Sequence, residues 1–322
     1  MFEPNKPYFL AESPCGTDAM WLRRQRTLGS PVQTRGVGFF TGCDVRMTLH
    51  PAEAGHGITF ERTDLPAAGG GRPVPATIDH LARLPRRTGL TLSQLGGSDD
   101  AQPAVQMIEH TMAALAGLSL DNVRIELDGP ECPGFDGSSE ELTGRLLDAG
   151  VLEQDVPRAA IEIAHTLEVT SGDASIRIEP SRSGHLEIEY HLDYPHDQVG
   201  QQAYAVEMSP RVFAYQLADA RTFILEEEVQ PLRSMGIGLR HTPRDLVVFG
   251  ENGPIDNQLR HSDEPVRHKL LDCVGDFALA GCELRGRFIC HRSGHALNHA
   301  AVREVLASHA VVQASRPVLR AA

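Results

Sequence analysis

No run of about 18 apolar residues occurs in this chain, so a membrane-spanning helix is not expected. Cysteine is sparse. Cys15, Cys43, Cys132, Cys273, Cys282 and Cys290 are scattered with no C-x-x-C pair, which argues against both a zinc ribbon and a disulfide framework. Residues 1–21 lack a basic stretch followed by an apolar one and do not read as a signal peptide. Aromatics are also scarce, at 5% with the single Trp21. Nor is there an excess of basic residues: the net charge of −13 argues against a nucleic-acid partner, which needs a basic face. A small anionic ligand remains compatible, because one local Lys or Arg can hold a phosphate. The expected compartment is the cytoplasm.

What is present describes a soluble globular chain: 41% hydrophobic and 23% charged over 322 residues, long enough for two domains with separate cores. Residues 1–24 are Pro-rich and read as an arm, and 313–322 as a tail. From Gln25 the pattern becomes strand-like, as at 45–49 and 58–60. Gly-rich or polar loops follow at 67–71, which fits no P-loop, and at 96–100. A helix is expected over 105–116, then a strand over 123–127, then a second helix with Ser138 and Glu141 as capping box and Gly150 as its stop. Residues 155–158 read as a linker. Beyond it, strands are expected at 161–169, 175–178 and 186–190, a less regular stretch at 211–256 with a hairpin near 251–253, a strand at 287–290 and a helix at 295–308. Each half runs strands, helix, strand, helix, and the first helix of each ends Ala-Leu-Ala-Gly, at 114–117 and 278–281. The expected fold is α+β: two similar domains, 25–154 and 158–312, each of strands with two helices, forming a duplicated β-α-α-β sandwich.

The most informative stretch is 263–281, a helix with Asp263 as N-cap, Pro265 in its first turn and Gly281 as its stop. Val266, Leu270, Val274, Phe277 and Leu279 form an apolar stripe. His268 and Asp272 lie four residues apart, hence on one face, and Asp276 extends that face by a turn. Such groups are costly to bury unless something binds them, although an exposed polar face explains them as well. The helix at the equivalent place in the first half carries Glu109 and His110, so the two sets can meet across the domain interface. His110, His268 and Asp272 then offer a His2Asp set with one open position, the catalytic rather than the structural pattern for Zn2+. Glu109 is placed to take a proton from a water that the metal activates. His295 and His299, also four apart, are a competing metal pair, with a solvated His299 as the simpler reading. His165, His185, His191, His196 and His241 are dispersed and expected at the surface, and no H-E-x-x-H occurs.

Three motifs in order carry a resemblance: Ile108-Glu109-His110 with Asp121-Asn122, Val266-Arg267-His268-Lys269-x-x-Asp272-x-x-Gly275-Asp276, and Ser293-Gly294-His295-x-Leu297-Asn298. They resemble those of the UDP-3-O-acyl-N-acetylglucosamine deacetylases, the family that makes the committed step of lipid A biosynthesis. Shorter matches, among them Gln25-Arg26-Thr27-Leu28, Asp136-Gly137-Ser138 and Ala220-Arg221-Thr222-Phe223, extend the likeness from residue 25 to about 310. The resemblance implies two α+β domains with Zn2+ between them on His110, His268 and Asp272, Fe2+ being the alternative metal. It implies Glu109 as general base, and a protonated His295, oriented by Asp276, as electrostatic stabiliser or general acid. It further implies that Thr222 helps to hold the oxyanion, that Lys269 and Phe223 bind substrate, and that 211–256 borders an apolar passage for an acyl chain. The implied reaction is hydrolysis of the 2-acetamide of UDP-3-O-(3-hydroxyacyl)-N-acetylglucosamine to acetate and the free amine. The partner is that acylated UDP-sugar, with no nucleic acid, no stable membrane insertion and a monomer expected. The alternatives are a metal amidohydrolase for another acylated sugar and a non-catalytic nucleotide-sugar binder.

The chain departs from the family pattern in three places. Phe40 stands where Gly-x-His-Thr-Gly usually has its His, Arg240-His241-Thr242 replaces the Gly-Gly-Ser after Gly-x-x-Leu, and Ile224-Leu225 replaces the Gly-Phe after Arg-Thr-Phe. None touches the ligands, the base or the acid. Phe40, Arg240 and His241 are expected to narrow or redirect the acyl passage.

Overall fold

The computed structural model describes residues 22–66, 71–92 and 104–309. The expected arm up to residue 21, the 67–70 part of the Gly-rich loop, the loop at 96–100 and the tail at 313–322 lie outside the described residues. The first half contains β1 (Arg24–Leu28), β2 (Val32–Val37), β3 (Asp44–Pro51), β4 (Ile58–Arg62), β5 (Val74–Pro75), β6 (Gly89–Leu90), β7 (Val105–Gln106), α1 (Glu109–Gly117), β8 (Val123–Leu127) and α2 (Glu140–Ala149). Next come β9 (Val151–Pro157), β10 (Ala160–Glu162), β11 (Leu167–Ser171), β12 (Ala174–Glu179), β13 (Leu186–Asp193), β14 (Gln201–Glu207) and α3 (Pro210–Val212). The chain finishes with β15 (Phe223–Leu225), α4 (Glu226–Ser234), β16 (Val247–Gly250), β17 (Gly253–Pro254), α5 (Glu264–Phe277), β18 (Glu283–His291) and α6 (His295–Ser308).

The two main sheets repeat one topology. Their orders are β2-β3-β8-β4-β5 and β11-β12-β18-β13-β14, with β10 beside β18. Along each five-strand path the central strand is parallel to one neighbour, β8 to β4 and β18 to β13, and the other pairs are antiparallel, while β10 adds a second parallel pairing to β18. Each central strand is laid down last, after one helix and before another, so the expected duplicated α+β fold is present. Alternation explains the covered faces: Val45, Met47 and Leu49 of β3, and Ile188, Tyr190 and Leu192 of β13, are buried at every second position. α5 lies on β13 and β14, α6 on β11 and β12, and α1 packs directly against α5. Gly275 permits that approach, because a Cβ there would overlap the carbonyl oxygen of Glu109. Among the described residues no helix is long and apolar enough to cross a membrane.

Several local expectations are corrected. The helix expected from 105 begins only at Glu109, because Val105 and Gln106 pair with β6 and Met107 has a left-handed φ of 56°, which no α-helix contains. Ser138 is not the cap of α2; Ser139 holds that position without a side-chain capping bond, while Ser138 Oγ accepts from Glu140 N–H at 3.2 Å. Asp263 does sit at the N-cap of α5, but its carboxylate accepts from Arg267 Nε (2.6 Å) instead of capping. The 155–158 linker is mostly strand, since β9 pairs antiparallel with β1. The strand expected at 161–169 is split between β10 and β11, and β14 has no expected counterpart. The hairpin near 251–253 is present as β16 and β17, and Gly281 ends the α5 region with φ 70°.

Candidate metal and acid–base site

Because α5 puts His268 and Asp272 on one face, its packing on the first turn of α1 brings His110 to them. His110 Nε2 and His268 Nε2 lie 3.6 and 3.5 Å from one oxygen, Asp272 Oδ1. The two imidazoles meet edge to face with centroids 5.0 Å apart. One ligand atom from each of the three residues lies within 4.8 Å of the others, and no other such trio occurs among the described residues. The donor chemistry fits a divalent ion. His268 Nδ1–H donates to the Ala220 carbonyl (3.1 Å), which leaves the Nε2 lone pair for the cluster. Burial pushes the His268 pKa down to about 3, so the ring is neutral, as a ligand must be. Burial would raise the Asp272 carboxyl, but Lys269, with Nζ 2.9 Å from Oδ2, holds it well below the usual carboxylate range. An imidazole lone pair aimed at a carboxylate oxygen repels it unless a cation lies between them.

Glu109 opens α1 beside His110 and is 2% exposed. Its Oε2 accepts Thr88 N–H at 3.1 Å. Burial raises its pKa above the ordinary glutamate value, against the pull of His295 and His110. Asp276 is fully buried and accepts four hydrogen bonds. His295 Nδ1–H and Asn298 Nδ2–H reach Oδ2, both at 2.8 Å, while Thr88 Oγ–H (2.6 Å) and His299 Nε2–H (3.1 Å) reach Oδ1. Burial works against the His295 imidazolium, but Asp276 outweighs it and the pKa rises to about 10. The Tyr190 hydroxyl donates to the Ser293 carbonyl and so anchors the turn from which His295 enters α6. His299 is neither solvated nor turned to the ligand trio; it is buried on Asp276, its ring 6.3 Å from that of His295.

Lys269 Nζ lies 5.9 Å from the centroid of the Phe223 ring, so these two predicted residues adjoin. Thr222 is held by N–H to Gly137 O (2.8 Å), and its hydroxyl makes no hydrogen bond among the described residues. The segment is tied to α5 by a buried pair that the sequence reading missed: Arg221 N–H and Nε both donate to Glu264 Oε1, at 3.0 and 2.8 Å. Next to Phe223 along β15, Ile224 lines an apolar cavity of about 360 Å³ with Phe39, Val229, Leu232, Ile237 and His241. Of the departures, Ile224, His241 and Thr242 reach that cavity. Phe40 instead stacks under the Arg87 guanidinium at 4.0 Å, and Arg240 is exposed and bound to Gly42 O and Asp44. His241 is buried rather than at the surface, with its ring 4.6 Å from Phe39. Thr88 was also missed, since one threonine in a loop carries no motif.

Comparison with known proteins adds a separate line of support. The profile of the family described as UDP-3-O-acyl N-acetylglycosamine deacetylase matches residues 25–307. A Myxococcus xanthus (strain DK1622) protein named UDP-3-O-acyl-N-acetylglucosamine deacetylase is 38% identical over 285 residues, 88% of this chain and 86% of its own. Proteins of the same name from Stenotrophomonas maltophilia (strain K279a) and Geobacter sp. (strain M21) are 36% and 38% identical, each over 88% of this chain and over 90% and 88% of their own lengths.

Proposed function

The chain belongs to the UDP-3-O-acyl N-acetylglycosamine deacetylase family, and from that premise we propose that it hydrolyses the 2-acetamide of UDP-3-O-(3-hydroxyacyl)-N-acetylglucosamine in lipid A biosynthesis, in the cytoplasm, as a zinc enzyme with Fe2+ as the alternative metal. The observation that carries this reading is the trio His110, His268 and Asp272 with a buried base candidate on one side and a buried acid candidate on the other. His110, His268 and Asp272 would hold a divalent ion, which would supply Lewis acidity towards the acetamide carbonyl and acidify the attacking water. Glu109 takes the proton of that water. His295, charged at neutral pH and fixed through Nδ1 by Asp276, offers its Nε2 proton to the departing amine. The Thr222 hydroxyl supports the oxyanion, Lys269 and Phe223 hold the sugar nucleotide, and the apolar cavity beside β15 takes the acyl chain. The two halves, 25–154 and 158–312, act as domains that each give part of the site. All named groups come from one chain, so a monomer suffices. The test is incubation of the metal-loaded protein with UDP-3-O-acyl-N-acetylglucosamine. Stoichiometric acetate and free amine are expected, and their absence with metal bound would overturn the reading.

A further inference from the structure

We propose, building on that deacetylase reading, that Thr88 is a positioning residue that locks the base and the acid arm into one frame. Glu109 comes from α1 and Asp276 from α5, so nothing within either helix sets one against the other. Thr88 touches both. Its N–H donates to Glu109 Oε2 (3.1 Å), and its hydroxyl donates to Asp276 Oδ1 (2.6 Å). Its carbonyl accepts Ile108 N–H (3.2 Å), which extends the β6–β7 ladder to the residue that enters α1. Left-handed φ values at Arg86 (62°) and Met107 (56°) bend both segments towards this point, a conformation that costs energy in non-Gly residues. Thr88 is 1% exposed, so water does not compete for these bonds.

Hydrogen counting fixes the direction of the network. The hydroxyl has one hydrogen, and the 2.6 Å contact with an ionised carboxylate claims it. The remaining lone pairs of Oγ face His299 Nε2 at 3.1 Å, which must therefore be the protonated nitrogen, its one N–H shared between Oγ and Asp276 Oδ1. His295 spends Nδ1–H on Asp276 Oδ2 and keeps Nε2 for substrate. Removing the hydroxyl leaves Oδ1 with His299 alone and frees Asp276, and with it His295, to turn. Thr88 touches no reacting atom. Its effect must therefore appear in kcat and act through Asp276 and the His295 ring seated on it, whose Nδ1 also lies 3.4 Å from Thr88 Oγ.

The test compares acetate release, metal content and thermal unfolding for wild type, Thr88→Val, Thr88→Ala, Thr88→Ser and the double variant Thr88→Val/Asp276→Asn. We expect kcat to fall ~10- to 100-fold in Thr88→Val and Thr88→Ala, the scale of a lost hydrogen bond to a charged group, with KM within ~2-fold and metal content unchanged. Thr88→Ser should restore most of kcat, and adding Thr88→Val to Asp276→Asn should cost little more. Wild-type kcat in Thr88→Val, a loss confined to KM, no rescue by Ser, or full additivity in the double variant would each overturn the proposal. So would failure of both Val and Ala variants to fold, which would assign Thr88 to the scaffold. Absence of acetate release from the wild type would instead overturn the deacetylase reading, and the inference with it.

Discussion

In the proposed mechanism Glu109 and His295 serve the same cluster with opposite requirements, one working ionised and the other protonated. Activity should rise as pH climbs through the Glu109 pKa and fall as it climbs through that of His295, near 10. Burial raises the Glu109 value in the bare cluster, and a cation on the neighbouring His110 opposes this, so the acidic limb of the metal-loaded enzyme should lie below the Glu109 titration of stripped protein. Asp276→Asn removes the anion that sustains the imidazolium and should move the alkaline limb to lower pH; an unmoved limb would remove His295 from the acid role. Glu109→Gln should lower kcat ~10²-fold or more with metal retained. In the apolar cavity, His241 Nδ1 is buried without a hydrogen-bond partner among the described residues, an arrangement that costs roughly 1–3 kcal/mol. His241→Val removes that nitrogen and adds room. It should therefore shift the kcat/KM profile towards longer acyl chains, by up to roughly fourfold per added methylene. A chain-length series with the same profile as wild type would show that His241 does not set the passage.

The decisive contact between elements is the approach of α1 to α5. Gly275→Ala would drive a Cβ into the Glu109 carbonyl and force the helices apart. Overpacking of this kind typically costs about 1–3 kcal/mol, and it should lower both the melting temperature and the metal affinity. An unchanged melting curve would mean that the contact is loose. This scale also shows what was legible beforehand. α5, α6 and β8 declared themselves through periodicity and end signals, and the ligand trio followed from the i, i+4 spacing on α5 together with the matching order of elements in the two halves. β9 and β14 did not declare themselves, because their side chains are largely exposed and one apolar face is not filled. The true start of α1 was hidden, since a left-handed Met107 has no sequence signal. Thr88 was hidden because its partners are 21 and 188 residues away in the chain.

For the whole molecule, the trio draws His110 from the first half and His268 and Asp272 from the second, so an ion bound there would tie the halves together. Saturating metal should stabilise the fold by about 2.7 kcal/mol at 100 times its Kd. Stripped protein should melt earlier and regain its melting temperature when Zn2+ is returned; equal melting with and without metal would place the ion elsewhere or nowhere. The net charge of −13 is compatible with the proposed uridine diphosphate ligand only if local cations hold it, and Lys269 borders the trio. The most direct measurement is a titration of Zn2+ into stripped wild-type, His110→Ala, His268→Ala and Asp272→Ala proteins, following bound metal and acetate release from UDP-3-O-acyl-N-acetylglucosamine together. The account predicts that about one equivalent restores activity in the wild type, and that each substitution weakens binding and abolishes restoration in parallel. Full acetate release without metal, or wild-type metal affinity in all three variants, would contradict it.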